Sequence, residues 1–157
     1  GQFAPSRSVI TLYFSLHKSF MNRAMLGLVP GDNHLINNLV FMSDVSSAYS
    51  TNGRALLSVS ILDSHLKEKE LIKSVQAELE SLSRINAEYF KFVKSYYIDY
   101  AIPTVEDMKG VIPFTESKIS DHVFLAGDYL LNGSINAAMA SGRIAAEAVV
   151  HSFKPIY

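Results

Sequence analysis

The sequence predicts an α+β fold: a mostly antiparallel sheet carrying one amphipathic helix, then a terminal strand–loop–helix segment of different character. Three observations predict it. Runs of β-branched and aromatic residues separated by turn clusters fill Ser8 to Leu62. Apolar spacing then changes to a helical period between Lys67 and Arg84. From Val123 to Val150 the chain passes from an apolar run through Gly127-Asp128 into a segment built mostly of Ala, Ser and Gly.

Ser8–His17 (SVITLYFSLH) reads as the first strand, and Ala24–Val29 as the second, stopped by Pro30-Gly31-Asp32-Asn33. Leu35–Met42 makes a third. The small polar stretch Ser43–Gly53 is a loop, and Arg54–Leu62 is a fourth strand with Leu57, Val59 and Ile61 on one face. Strands this close together, joined by turns, pair antiparallel. Leu71, Ile72, Val75, Leu79 and Leu82 form one helical stripe, with Asp63 or Ser64 as the cap. The charges of Lys67–Glu70 belong on its solvated face. Phe90–Ala101 alternates and is aromatic, a strand ended by Ile102-Pro103. Thr104–Gly110 reads as a short helix capped by Thr104, with Glu106 and Asp107 in its first turn. Val111–Asp121 reads as loop.

Composition excludes several functions. A net charge of −1 gives no electrostatic case for nucleic acid. The absence of cysteine removes disulfides, thiol catalysis and thiolate metal sites, and fits a reducing, cytoplasmic setting. No apolar run approaches the ~18 residues that span a bilayer. His17, His34, His65, His122 and His151 show no ligand spacing, so no metal site is expected. Ser46-Ser47 lacks the setting of a hydrolase nucleophile. Asp44 and Asp63 read as loop and cap residues. No side chain is assigned a catalytic role.

His122–Ala126 (HVFLA) is short and continuously apolar, as suits a strand covered on both faces within a parallel sheet. Gly127 permits a sharp turn or a close approach to the backbone. Asp128 then lies at the carboxyl end of that strand, the edge where open α/β sheets bind ligands. A helix begins near Gly133-Ser134, and its first N–H groups carry partial positive charge. Ala138, Gly142 and Ala146 recur on one face, flanked by Ser141 and Ala145. Small residues at that spacing give clearance for a backbone or a ligand. A tightly packed helix of high propensity after an ordinary turn explains the same composition.

FLAGD, YLLNGS and INAAMASGRIAAEAV, in that order, resemble the carboxyl-terminal FAD signature of the flavin-containing amine oxidase superfamily, which includes protoporphyrinogen oxidase and phytoene desaturase. Upstream, NNLVFMSDVSSAYSTNGRALLSVSI is similar to the family's substrate-domain strands, and Tyr100–Pro103 (YAIP) to the segment returning to its FAD domain. The resemblance implies a substrate-binding portion over residues 1–101. Residues 102–157 would be the last strand and helix of a Rossmann-like FAD-binding domain. It also implies that Gly127 and Asp128 adjoin FAD, with Asp128 bonding a ribityl or pyrophosphate oxygen. Ser134, Ile135 and Asn136 would face the pyrimidine side of the flavin or the ribityl, and Ala138 would permit close approach.

The family's amino-terminal G-x-G-x-x-G has no counterpart, since the neighbourhoods of Gly27, Gly31 and Gly53 do not fit it. The chain is therefore expected to be a carboxyl-terminal fragment, inactive alone, holding FAD weakly or not at all and open to homodimerisation. Amine oxidases of the family carry an aromatic residue where Ser134 stands. Many carry a lysine near Ser6-Arg7-Ser8. These departures imply an oxidoreductase that dehydrogenates or desaturates a mainly apolar substrate by hydride transfer, with peripheral membrane contact of the parent protein. Tyr97, Tyr100 and Tyr129 are candidates for a substrate channel, although strand packing accounts equally for Tyr97 and Tyr100. The alternative is a stand-alone, non-enzymatic α+β module that binds a lipid or protein partner.

Overall fold

The computed structural model describes residues 6–31, 33–104 and 108–153. Asp32 of the turn cluster, and Glu106 and Asp107 of the expected short helix, lie outside them. The chain divides into two units, Ser8–Asp99 and Gly1–Arg7 with Tyr100–Tyr157.

The Ser8–Asp99 unit is built on a five-stranded sheet of β1 (Ser6–Leu16), β2 (Gly27–Leu28), β3 (Ile36–Phe41), β4 (Ala55–Leu62) and β5 (Lys91–Pro103). Their order is β2-β3-β4-β1-β5. β1 runs antiparallel to β4, from Val9 opposite Leu62 to Leu16 opposite Ala55. β3 pairs antiparallel with β4, and β2 with β3, while the stretch expected as loop between β3 and β4 holds a single helical turn, α1 (Met42–Val45), and a 3₁₀ turn at Ser47–Tyr49. Alternation then sends Ile10, Leu12, Phe14 and Leu16 to the same face as Leu57, Val59 and Ile61. Helix α2 (Glu68–Ser83) covers that face with Leu71, Val75 and Leu79, all fully buried. Each such side chain contributes roughly 1.5–3 kcal/mol of burial. One carboxylate and one amide fix the helix on the sheet. The Glu78 carboxylate accepts the Leu35 N–H at 2.9 Å and meets His34 Nδ1 at 3.0 Å. Gln76 Nε2 donates to the Phe90 carbonyl at 2.7 Å.

Several boundaries differ from expectation. The stripe on α2 is narrower, with Leu82 exposed. Neither expected cap is used, because α2 starts too late for either to reach it. Its N-cap is Lys67, without a side-chain bond. The Asp63 carboxylate instead accepts from the N–H and hydroxyl of Ser8, and the Ser64 hydroxyl accepts the Leu66 N–H. Of Ala24–Val29 only Gly27 and Leu28 form a strand, opposite Leu39 and Asn38, and the Val29 N–H adds one bond to the Asn37 carbonyl at 3.0 Å. β5 continues through Pro103, a residue tolerated because β5 is the sheet edge.

In the second unit, β6 (Lys118–Ser120) and β7 (Val123–Phe124) form a two-stranded antiparallel ribbon, followed by helix α3 (Ile135–Ser152). The segment expected as loop thus contains β6 and a 3₁₀ turn at Phe114–Ser117. A Lys118–Asp121 ion pair of 3.2 Å spans the turn that folds β6 onto β7. The apolar run His122–Ala126 is only partly a strand. Its partner β6 is antiparallel and Val123 is half exposed, so it is not the covered interior of a parallel sheet. Ile112, Leu131, Ala137 and Ile144 form this unit's core. Among the described residues no helix is long and apolar enough to cross a membrane.

Candidate functional site

The site is assembled by one buried hydroxyl. Ser141, fully buried on α3, accepts the Gly127 N–H at 2.9 Å and donates to the Ala138 carbonyl at 3.0 Å. It thereby ties the loop after β7 to the start of α3. The chain turns there through a 3₁₀ segment, Asp128–Leu130, closed by the Leu131 N–H on the Asp128 carbonyl at 3.0 Å. The Asp128 carboxylate is half-buried. It makes no hydrogen bond or ion pair with any described residue.

Ser134 caps α3, its hydroxyl accepting the Ala137 N–H at 3.1 Å and donating to Asn132 Oδ1 at 2.6 Å. Its carbonyl accepts the Ala138 N–H at 3.0 Å. Neither group satisfies the N–H of Ile135 or Asn136, two of the donors that give a helix start its positive end. Both residues are exposed. Gly127 is explained locally. A Cβ there would lie 2.2 Å from Tyr129 Cε1, so the glycine makes room for the Tyr129 ring.

The two readings of the small-residue helix prove to concern different faces. Ala137, Ser141, Ala145 and Ala148 are buried together with Ile144, which is close packing. Ala138 and Ala146 are exposed, and a Cβ on Gly142 would meet nothing within 4 Å, which is clearance. Of the predicted site residues, Gly127 and Asp128 lie on the loop, and Ser134, Ile135, Asn136 and Ala138 open the helix. Ser141 joins the two groups, a role beyond the flanking position its sequence place suggested. Its signal was available: a serine among alanines on the helix face that must be buried.

The sheet carries a second feature. On the face away from α2, a groove of about 530 Å³ is lined by Thr11, Tyr13, Leu56, Val93, Tyr96 and Tyr97 among others. The Tyr13 and Tyr96 rings meet edge to face at 5.9 Å. Tyr97 therefore lines a groove, whereas Tyr100 is 80% exposed outside it and Tyr129 packs on Gly127. Tyr13 and Leu56 are legible as the residues alternating with the buried set on β1 and β4.

The second unit thus holds a strand leading to Gly-Asp, a carboxylate and two helix-start N–H groups without partners among the described residues, and an open small-residue face. The chain belongs to the flavin containing amine oxidoreductase family, whose sequence profile matches residues 4–150. Its fold is similar to that of an oxidoreductase from Methanosarcina mazei, with a TM-score of 0.64 at 11% identity over 92% of this chain and 35% of that one. A protein from Pyrococcus furiosus gives 0.61 at 13% identity over 99% of this chain and 34% of that one. Reduced UDP-galactopyranose mutase gives 0.50 at 17% identity, over 65% and 23%. The chain thus spans no more than about a third of the length of these structures. No curated protein matches it at a significant level.

Proposed function

We propose that this chain works within an FAD-dependent oxidoreductase that dehydrogenates or desaturates a mainly apolar substrate. One observation carries the reading: in a chain of the flavin family, Asp128, on the loop that Gly127 ties to α3 through Ser141, has a carboxylate with no partner among the described residues, and the cap of α3 leaves the Ile135 and Asn136 N–H groups unsatisfied. Asp128 would accept from a ribityl hydroxyl. The two N–H groups would meet an electron-rich oxygen of the ring or chain, and Ala138 would offer only a methyl group to the approaching cofactor. FAD, when bound, supplies a hydride acceptor, and the protein's task is placement. Tyr13, Leu56, Val93 and Tyr96 support the apolar substrate, since they line a groove with aromatic and aliphatic surface.

The ADP half of FAD would be held by sequence beyond this chain, which has no G-x-G-x-x-G. The isolated chain is therefore expected to be inactive and weak in FAD, and to pair its exposed β5 edge with a second copy. Exposed Met25, Leu26 and Leu28 are the side chains that would make a peripheral membrane contact in a cytoplasmic parent. The family match favours this reading over a non-enzymatic module. The test is anaerobic mixing of the flavin-loaded protein, expressed from its complete reading frame, with apolar and hydrophilic hydride donors. Bleaching of the flavin by apolar donors, slowed about tenfold by Leu56→Lys through a raised KM, is expected. Bleaching by hydrophilic donors alone, indifferent to Leu56→Lys, would overturn the substrate assignment.

A further inference from the structure

At one end of the sheet, β1 runs out into His17-Lys18, β4 is entered from Arg54, and β5 begins at Lys91. These four residues line one groove of about 490 Å³ together with Ile85 and Tyr89. Its floor is firm. Arg54 is half-buried, and its Nε donates to Ser15 Oγ at 2.7 Å, which holds the guanidinium while its other N–H groups have no partner among the described residues. No carboxylate among the described residues lies within ion-pair distance of Lys18, Arg54 or Lys91. His17, Lys18 and Arg54 also line an adjoining polar groove of about 300 Å³ with Ser43, Ser47 and Asn22. Asp44 lies in that second groove, its Oδ2 accepting the Ser19 hydroxyl at 2.6 Å and the Arg23 N–H at 3.2 Å, and its single negative charge offsets one of the cations there.

We propose that this sheet end is a binding site for a phosphate-bearing anion. Three cations and an imidazole converge there against the one carboxylate of Asp44, in a chain whose net charge is −1, so the local balance is positive where that of the whole chain is not. A pinned guanidinium presents the planar donor fork that phosphate oxygens accept, while two lysines add mobile point charges at the rim. The Ser47 and Asn22 side chains supply neutral donors in the adjoining groove, and the Tyr89 ring, 59% exposed, offers a flat wall for the organic part of a ligand. The same chemistry serves a free phosphorylated metabolite or the headgroup of an anionic lipid.

Both sources can be tested with the protein expressed from its complete reading frame, at fixed ionic strength. Pyrophosphate is titrated calorimetrically, and phosphatidylglycerol vesicles are compared with phosphatidylcholine vesicles by co-sedimentation. The variant is Lys18→Glu with Lys91→Glu, which leaves the Ser15–Arg54 bond intact. The control is Lys69→Glu with Lys73→Glu, the same charge change on an exposed stretch of α2. Binding of pyrophosphate below about 1 mM, weakened at least about tenfold by the variant and unmoved by the control, supports a metabolite site. Selective binding of phosphatidylglycerol vesicles with the same pattern supports a lipid-headgroup site. Absence of both, or equal loss in variant and control, overturns the proposal, because bulk charge would then suffice.

Discussion

Ser141→Ala tests how the loop after β7 is held. The hydroxyl is fully buried and makes two bonds, accepting from Gly127 N–H at 2.9 Å and donating to Ala138 O at 3.0 Å. The Ala138 carbonyl has a helical partner in Gly142 N–H by position, so its loss is minor. The Gly127 N–H has no substitute, and an orphaned donor costs about 1–3 kcal/mol. Alanine returns up to about 0.5 kcal/mol through helix propensity. The net expectation is about 1–2 kcal/mol, since Gly127 is half-buried and water reaches it in part. In a chain of this size that lowers Tm by roughly 2–8 °C. The loop carrying Asp128 also loses its tether, so FAD affinity in the complete protein falls by about tenfold. Ser152→Ala is the matched control, because that hydroxyl only donates to the Ala148 carbonyl within the same helix, at 2.9 Å. Thermal unfolding and flavin titration read both effects. If Ser141→Ala behaves like Ser152→Ala in both assays, the Ser141 bridge does not hold the site and the account of the loop is wrong.

Gly127→Ala is expected to destabilise by about 1–3 kcal/mol, since its Cβ would fall 2.2 Å from Tyr129 Cε1. Adding Tyr129→Ala should recover most of that loss in a double-mutant cycle, and a strictly additive result would show that the ring is not the cause. Glu78→Ala should cost about 2–4 kcal/mol in urea unfolding, because it strips the acceptor from the N–H groups of Leu35 and Ile36, 2.9 and 3.4 Å away. Glu78→Gln, which keeps one carbonyl oxygen, should cost less than half as much. Leu79→Ala, at a fully buried position of α2, should cost about 2–5 kcal/mol with the m-value unchanged.

Period alone revealed the sheet and the helix on it. Leu57, Val59 and Ile61 alternate and are buried, and Leu71, Val75 and Leu79 follow helical spacing and are buried against them. What periodicity does not carry is context. His122–Ala126 has the composition of an interior parallel strand, yet its only ladder partner among the described residues is the antiparallel β6. Caps were misplaced for a related reason. Asp63 and Ser64 have capping chemistry, but Ser8 and Leu66 offered them nearer donors, a competition no local pattern displays. The candidate site was legible as a motif, down to Asp128 and the α3 cap. Ser141 shows in the sequence only as a serine among alanines on the face to be buried, and its bond to Gly127 does not show at all, because only the folded chain brings the two together.

The most direct test of the central claim is the visible absorbance spectrum of the protein expressed from its complete reading frame, beside its Asp128→Ala variant and this chain alone. The account predicts flavin bands near about 375 and 450 nm in the first, strong loss of bound flavin in the second and none in the third. A complete protein that is colourless and takes up no added FAD, or one whose flavin is indifferent to Asp128→Ala, would contradict it.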